Sequence, residues 1–229
     1  IDILKRTGSL IETPSLYGHL TASENLEVYR KVYGTTKQRI AEVLDIVGLS
    51  DTGKKTAKKF SLGMKQRLSI AIALLPNPEL LILDEPVNGL DPAGIVELRQ
   101  LIKKLNKEHG MTILISSHLL GEVEKMVSHV GIIFKGSMLF QGSLQALHRF
   151  QQQSNTLYIK TSDNRKALEL LNEYKAADAG EELSLSFRSL EQVADVNRKL
   201  TANGLDVYML YPKQNDLEQL FIKLTSDPS

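Results

Sequence analysis

The residues able to do chemistry gather at a few points of the chain. Foremost are two adjacent carboxylates, Asp84 and Glu85, which close the apolar run Leu80-Leu81-Ile82-Leu83. In open α/β sheets ligands collect beyond the carboxyl ends of the strands, so two carboxylates at that point can meet a metal ion and a water molecule. Successive strand residues point in different directions, which lets the pair divide its labour. Asp84 would address a magnesium ion, and Glu85 would orient or deprotonate an attacking water. A strand that merely ends in an acidic turn explains the same six residues. Thirty-three residues past Glu85, the apolar stretch Thr112–Ile115 runs into Ser116-Ser117-His118. A histidine after the next parallel strand lands on the same rim of the sheet, where its imidazole can contact a phosphate oxygen and the water; in isolation an ordinary surface or core histidine is the plainer reading. Ser61-Leu62-Gly63 precedes a helical pattern and offers a hydroxyl, a flexible backbone and unsatisfied amides at a positive helix end, the makings of a phosphate cradle. An ordinary serine N-cap accounts for it too. The joint spacing of Ser61, Asp84, Asp91 and His118 is what separates these readings.

The elements that must position these groups alternate. A helix over the opening residues gives way after Thr7-Gly8 to a short strand, Ser9-Leu10-Ile11, and then to a turn at Glu12-Thr13-Pro14-Ser15. A helix capped by Ser23 ends near Gly34, and another starts at Thr36 and stops at Gly48, together forming a helical insert. After Phe60-Ser61 comes an apolar helix ended by Pro76-Asn77-Pro78, then the Glu79–Leu83 strand, apolar on both faces as a buried parallel strand is. A helix with apolar positions Ile95, Leu98, Ile102 and Leu105, the strand Thr112–Ile115, the helix Leu120–Met126 and the strand Val130–Phe134 follow. Strand alternating with helix predicts an α/β fold with a mainly parallel sheet covered on both faces. Lys135-Gly136 turns into Ser137–Phe140 as a hairpin, and the Gln- and Ser-rich text at Arg149–Asn155 reads as a linker. Beyond it, strands at 156–160, 183–187 and 207–211 and helices at 165–174, 190–202 and 216–224 predict a small α+β domain.

With these elements in place the text resembles a known family. Phe60-Ser61-Leu62-Gly63-Met64-Lys65-Gln66-Arg67 resembles the signature motif of ABC ATPases, Leu80–Glu85 their Walker B strand, Asn88-Gly89-Leu90-Asp91 their D-loop and His118 their switch histidine. Thr7–Glu12 is similar to the Q-loop, with Glu12 where the family usually has glutamine; Leu62 replaces the first signature glycine and Met64 the usual glutamine. These departures, with Asp216–Phe221 near the end, resemble the bacitracin and lantibiotic type of exporter ATPase. The resemblance implies a P-loop NTPase-like cassette, residues 1–150 with a helical insert at about 23–75, followed by an accessory domain at 156–229. It implies ATP and Mg2+ as cofactors, Glu85 and His118 as catalytic residues, Ser61, Gly63, Met64, Asp91 and Glu12 at the nucleotide, and Asp84 and Glu12 at the metal. It further implies a homodimer or heterodimer that sandwiches two ATP molecules head to tail, an integral membrane permease as partner, and a peripheral place on the cytoplasmic face of the cell membrane. The function expected is ATP hydrolysis that powers export of a peptide antibiotic or similar substrate; the alternative is a degenerate or non-transport cassette acting by partner binding.

A phosphate-binding loop, G-x-x-x-x-G-K-[ST], belongs to this picture. One near match, Gly48–Lys55, fails: Lys55 stands where a hydroxyl is required, and a helix precedes it where a strand should. The true loop is expected before Ile1, so these residues by themselves are expected to bind ATP poorly and hydrolyse it negligibly. Composition sets the remaining bounds. Among 229 residues 42% are hydrophobic and 24% charged, a globular balance. The longest apolar runs, Leu68–Leu75 and Leu80–Leu83, fall far short of the roughly 18 residues that cross a bilayer. There is no cysteine for a disulfide. Net charge is +1, too balanced for a nucleic-acid binder, and the cluster Lys54, Lys55, Lys58 and Lys59 reads as a solvated face.

Overall fold

The computed structural model describes residues 2–12, 15–152 and 155–213, and the chain divides between Met126 and Val127 into two compact units. The first unit runs α1 (Asp2–Lys5), β1 (Thr7–Leu10), α2 (Ala22–Tyr33), α3 (Gln38–Ile46), α4 (Leu62–Leu74), β2 (Leu80–Asp84), α5 (Pro92–His109), β3 (Thr112–Ser116) and α6 (Leu120–Val123). Its three strands are parallel in the order β1-β2-β3, with Leu83 opposite both Leu10 and Ile115 and Asp84 opposite Ser116. This register brings the ends of β2 and β3 level, which is what a shared rim requires.

One core holds the unit together. Leu81 and Leu83 of β2 are fully buried, clustered with Leu68, Ile70 and Leu74 of α4 and with Leu98, Ile102 and Leu105 of α5. Each such side chain contributes about 1.5–3 kcal/mol relative to exposure. α4 is apolar nearly all round, the pattern of a helix enclosed on every side. The expectation of a sheet covered on both faces needs correction: Leu80 and Ile82 are only half-buried, and Leu114 of β3 is 58% exposed. Strand side chains alternate between faces, and among the described residues the face of Leu81 and Leu83 receives the helices.

Local details differ from the sequence reading for identifiable reasons. β1 begins at Thr7 and includes Gly8, after which the strand was expected to start; a Cβ there would lie 2.4 Å from the carbonyl oxygen of Ala73. Glycine is therefore needed for close approach of strand to helix. The N-cap of α2 is Thr21, not Ser23: the Thr21 hydroxyl accepts from the Glu24 amide while the Glu24 carboxylate accepts from the Thr21 amide, a reciprocal capping box. Asn25, fully buried, donates from Nδ2 to the carbonyls of Tyr17, Leu20 and Thr21 and accepts from the Tyr17 amide, which staples the preceding loop to α2. At the far end of α4, Arg39 donates to the Leu74 carbonyl, a cation where the helix dipole favours one.

The second unit opens with an antiparallel hairpin, β4 (His129–Phe134) and β5 (Ser137–Ser143), turned by Lys135 and Gly136, both at positive φ, the geometry two-residue hairpins prefer. α7 (Leu144–Gln152) follows and occupies most of the stretch expected as a linker. Glutamine is a good helix former, so a Gln-rich composition does not break a helix. Then come β6 (Thr156–Thr161), α8 (Asn164–Leu170), β7 (Ala177–Asp178), β8 (Leu183–Ser186), α9 (Leu190–Ala202) and β9 (Val207–Lys213). The antiparallel order β7-β8-β6-β9 with this connectivity is the split βαβ arrangement, and its core is Leu157 and Ile159 of β6 with Val196 and Leu200 of α9. The boundary at Met126 and Val127 lies upstream of the expected linker, because the hairpin forms its own two-stranded sheet apart from β1-β2-β3. The helix expected at 216–224 lies outside the described residues.

Candidate active site

The rim at the ends of β2 and β3 collects the acidic pair and the histidine. Asp84 is the last residue of β2, and the Ser116 hydroxyl, opposite it in register, donates to its Oδ1. Glu85 leaves the strand with φ of 46°, a left-handed backbone that costs a non-glycine residue on the order of 1–2 kcal/mol. Two hydrogen bonds hold it there: the Glu85 amide donates to the Ser116 carbonyl at 3.0 Å, and the Asn88 amide to the Glu85 carbonyl at 3.1 Å. The consequence is that the Glu85 carboxylate swings toward His118, whose Nδ1 lies 2.9 Å from Oε2. Residues 84, 85 and 118 thus converge, as a shared rim requires.

The other expected site residues have partners of their own. Glu12 lies just past the end of β1 and accepts from the Asn88 side-chain amide at 3.2 Å, linking the loop after β1 to the turn after β2. Asp91 caps α5 by accepting from the Gly94 amide. Ser61 caps α4 by accepting from the Met64 amide, and its exposed hydroxyl stands at a helix tip facing solvent. Gly63 and Gly89 pack on their neighbours' side chains: a Cβ at Gly89 would lie 3.1 Å from Leu62, and one at Gly63 would lie 3.8 Å from Leu90. The tip of α4 therefore rests against the turn that leads to Asp91. The near match Gly48–Lys55 forms a short 3-10 turn after α3, with Lys54 and Lys55 exposed.

Two residues escaped the sequence reading. Ser116 was visible only as part of the run before His118; its role comes from facing Asp84 across the sheet, which the lengths of the two strands alone do not fix. Asn88 stood inside the Asn88–Asp91 motif, but its partner Glu12 is 76 residues away.

Comparison with known proteins shows the family. The family model described as ABC transporter matches residues 2–88. The bacitracin transport ATP-binding protein BcrA of Bacillus licheniformis is 45% identical over 230 residues, covering 97% of this chain and 74% of that protein. The lantibiotic transport ATP-binding protein SrtF of Streptococcus pyogenes is 49% identical over 138 residues, 60% of each chain. Among solved structures, CbiO1 from Clostridium perfringens, part of the ABC transporter complex cbiONQ, superposes with a TM-score of 0.58 at 26% identity, over 63% of this chain and 59% of that one. The chain belongs to the ATP-binding subunits of ABC transporters and is an ATPase of that type. No helix among the described residues is long and apolar enough to cross a membrane.

Proposed function

We propose that this chain powers export of a peptide antibiotic of the bacitracin or lantibiotic kind through a separate membrane permease, from a peripheral position on the cytoplasmic face. The resemblance to BcrA over nearly the whole chain and to SrtF over 60% of it supports that substrate class. The observation that carries the chemistry is the assembly of Asp84, Glu85 and His118 on one rim, with His118 Nδ1 2.9 Å from Glu85. Glu85 is the group that orients and deprotonates the attacking water, and His118 holds the Glu85 carboxylate and reaches a terminal phosphate oxygen.

Among the described residues no group of three or more acidic or histidine side chains gathers as a metal cage. Mg2+ binds through one or two carboxylates and substrate phosphates. Asp84, kept in place by Ser116, would hold it, with Glu12 as the second expected ligand; bound there, the ion would neutralise phosphate charge. Ser61 and Gly63 at the tip of α4, with Met64 behind them, meet the nucleotide bound by a second subunit, and Asp91 lies at that junction. Exposed Ile11, Tyr17, Val32 and Tyr33 offer the permease apolar side chains, and residues 156–229 serve as an accessory domain.

The test is ATP turnover by the full-length protein with its permease. Glu85→Gln should retain ATP binding and lose turnover by a factor of about 100 or more. Turnover within a few-fold of wild type would remove Glu85 from the role given to it. Loss of bacitracin or lantibiotic tolerance in cells carrying the same variant tests the export reading separately.

A further inference from the structure

The second unit contains a cleft that ATP hydrolysis does not use. It has a volume of about 960 Å³ and is walled by Arg149 of α7, Tyr174 and Lys175 after α8, and Phe187 and Arg188 at the end of β8. Small-molecule sites commonly occupy about 300–1,000 Å³. Its charge is one-sided. Arg149, Lys175 and Arg188 are exposed, and among the described residues none of the three has a carboxylate partner in an ion pair. The acid on the wall, Glu173, is engaged by Lys199.

The backbone that carries two of these cations is fixed. Lys175 sits at φ of 54°, a left-handed position that costs a residue with a side chain on the order of 1–2 kcal/mol, and its amide donates to the Asn172 carbonyl at 2.9 Å. Arg188 precedes the Ser189 cap of α9, and its amide donates to the side-chain oxygen of Gln192 at 2.9 Å. The positive end of α9 opens beside them. The Tyr174 ring, with the Lys199 ammonium 5.7 Å from its centroid, and the buried Phe187 add an apolar wall.

We propose that this cleft binds a small organic phosphate, with Arg149, Lys175 and Arg188 taking the phosphate oxygens and Tyr174 flanking the organic part. Guanidinium and ammonium groups are the usual partners of phosphate oxygens. The phosphate can belong to a soluble molecule or to a lipid headgroup, and the experiment separates these sources. The full-length protein, with saturating ADP and Mg2+ to fill the nucleotide site, is titrated with glycerol 3-phosphate by calorimetry, and its sedimentation with vesicles of phosphatidylglycerol in phosphatidylcholine is measured in parallel. Binding of glycerol 3-phosphate in solution points to a soluble ligand, and vesicle binding alone to a lipid headgroup. In either case Lys175→Ala with Arg188→Ala should weaken binding roughly tenfold or more, while Lys175→Arg retains it. Because both side chains are exposed, the melting temperature should stay near that of wild type, which separates a lost ligand from a lost fold. Absence of binding to either probe, or equal binding by the double alanine variant, overturns the proposal.

Discussion

Asp84 and Glu85 are neighbours in sequence, yet different atoms hold them. Asp84 is held by a side chain, the Ser116 hydroxyl; Glu85 is held by backbone, through the Ser116 carbonyl and the Asn88 amide. Their substitutions should therefore separate. Removing a group that orients a metal ligand typically costs about 10–100-fold in metal affinity or activity. Ser116→Ala should shift the Mg2+ concentration for half-maximal ATP turnover upward by roughly that factor while nucleotide binding without metal stays unchanged; an unchanged Mg2+ dependence would show that the hydroxyl does not serve Asp84. The acidic pair and the histidine were legible in the sequence through their joint spacing with Ser61 and Asp91, since each taken alone has a plainer reading. Ser116 was not, because its meaning depends on which residue lies across the sheet.

Two side chains set how α2 begins, and each makes a separable prediction. Asn25 satisfies three carbonyls and one amide from a fully buried position, and leaving such groups unpaired costs about 1–3 kcal/mol. Asn25→Ala should lower unfolding stability by about that amount, measured by urea titration, and loosen residues 15–21 in hydrogen exchange. Glu24 gives a pH signature. The Thr21 amide, and then the Thr21 hydroxyl, hold its carboxyl below its ordinary value of 4.5. A depressed folded-state pKa contributes stability that is present above the unfolded value and lost as pH falls through the folded one. Melting temperatures of wild type and Glu24→Ala should differ at pH 7 and converge as pH falls below about 4.5; a gap that persists at pH 3 would rule out the ionised cap as its source. The helix itself was evident from its apolar spacing, but Ser23 and Thr21 are both good caps by residue type, and only the geometry of the loop before them chose Thr21.

Among the described residues two core clusters share no residue. Leu83 lies in one and Ile159 in the other, and each is fully buried. Replacing a buried leucine or isoleucine by alanine costs about 2–5 kcal/mol. By hydrogen exchange Leu83→Ala should deprotect β2 and α4, and Ile159→Ala should deprotect β6 and α9. Deprotection of both units by either variant would mean that they unfold together. The sequence by itself determined the alternation of strand and helix, the order of the family motifs and the identity of the acidic pair, the histidine and the capped helix tip, because hydrophobic periodicity and residue type are local properties. It started the first strand after Gly8 instead of at Thr7, and it read Arg149–Asn155 as a linker and the sheet as covered on both faces. Each of those depends on what lies opposite: the Ala73 carbonyl beside Gly8, the unbroken helix α7, the open face around Leu114. Tertiary structure alone decided the pairing of Ser116 with Asp84, of Asn88 with Glu12, and of His118 with Glu85. Contacts between residues far apart in the chain are set by register and packing, and no local pattern records them.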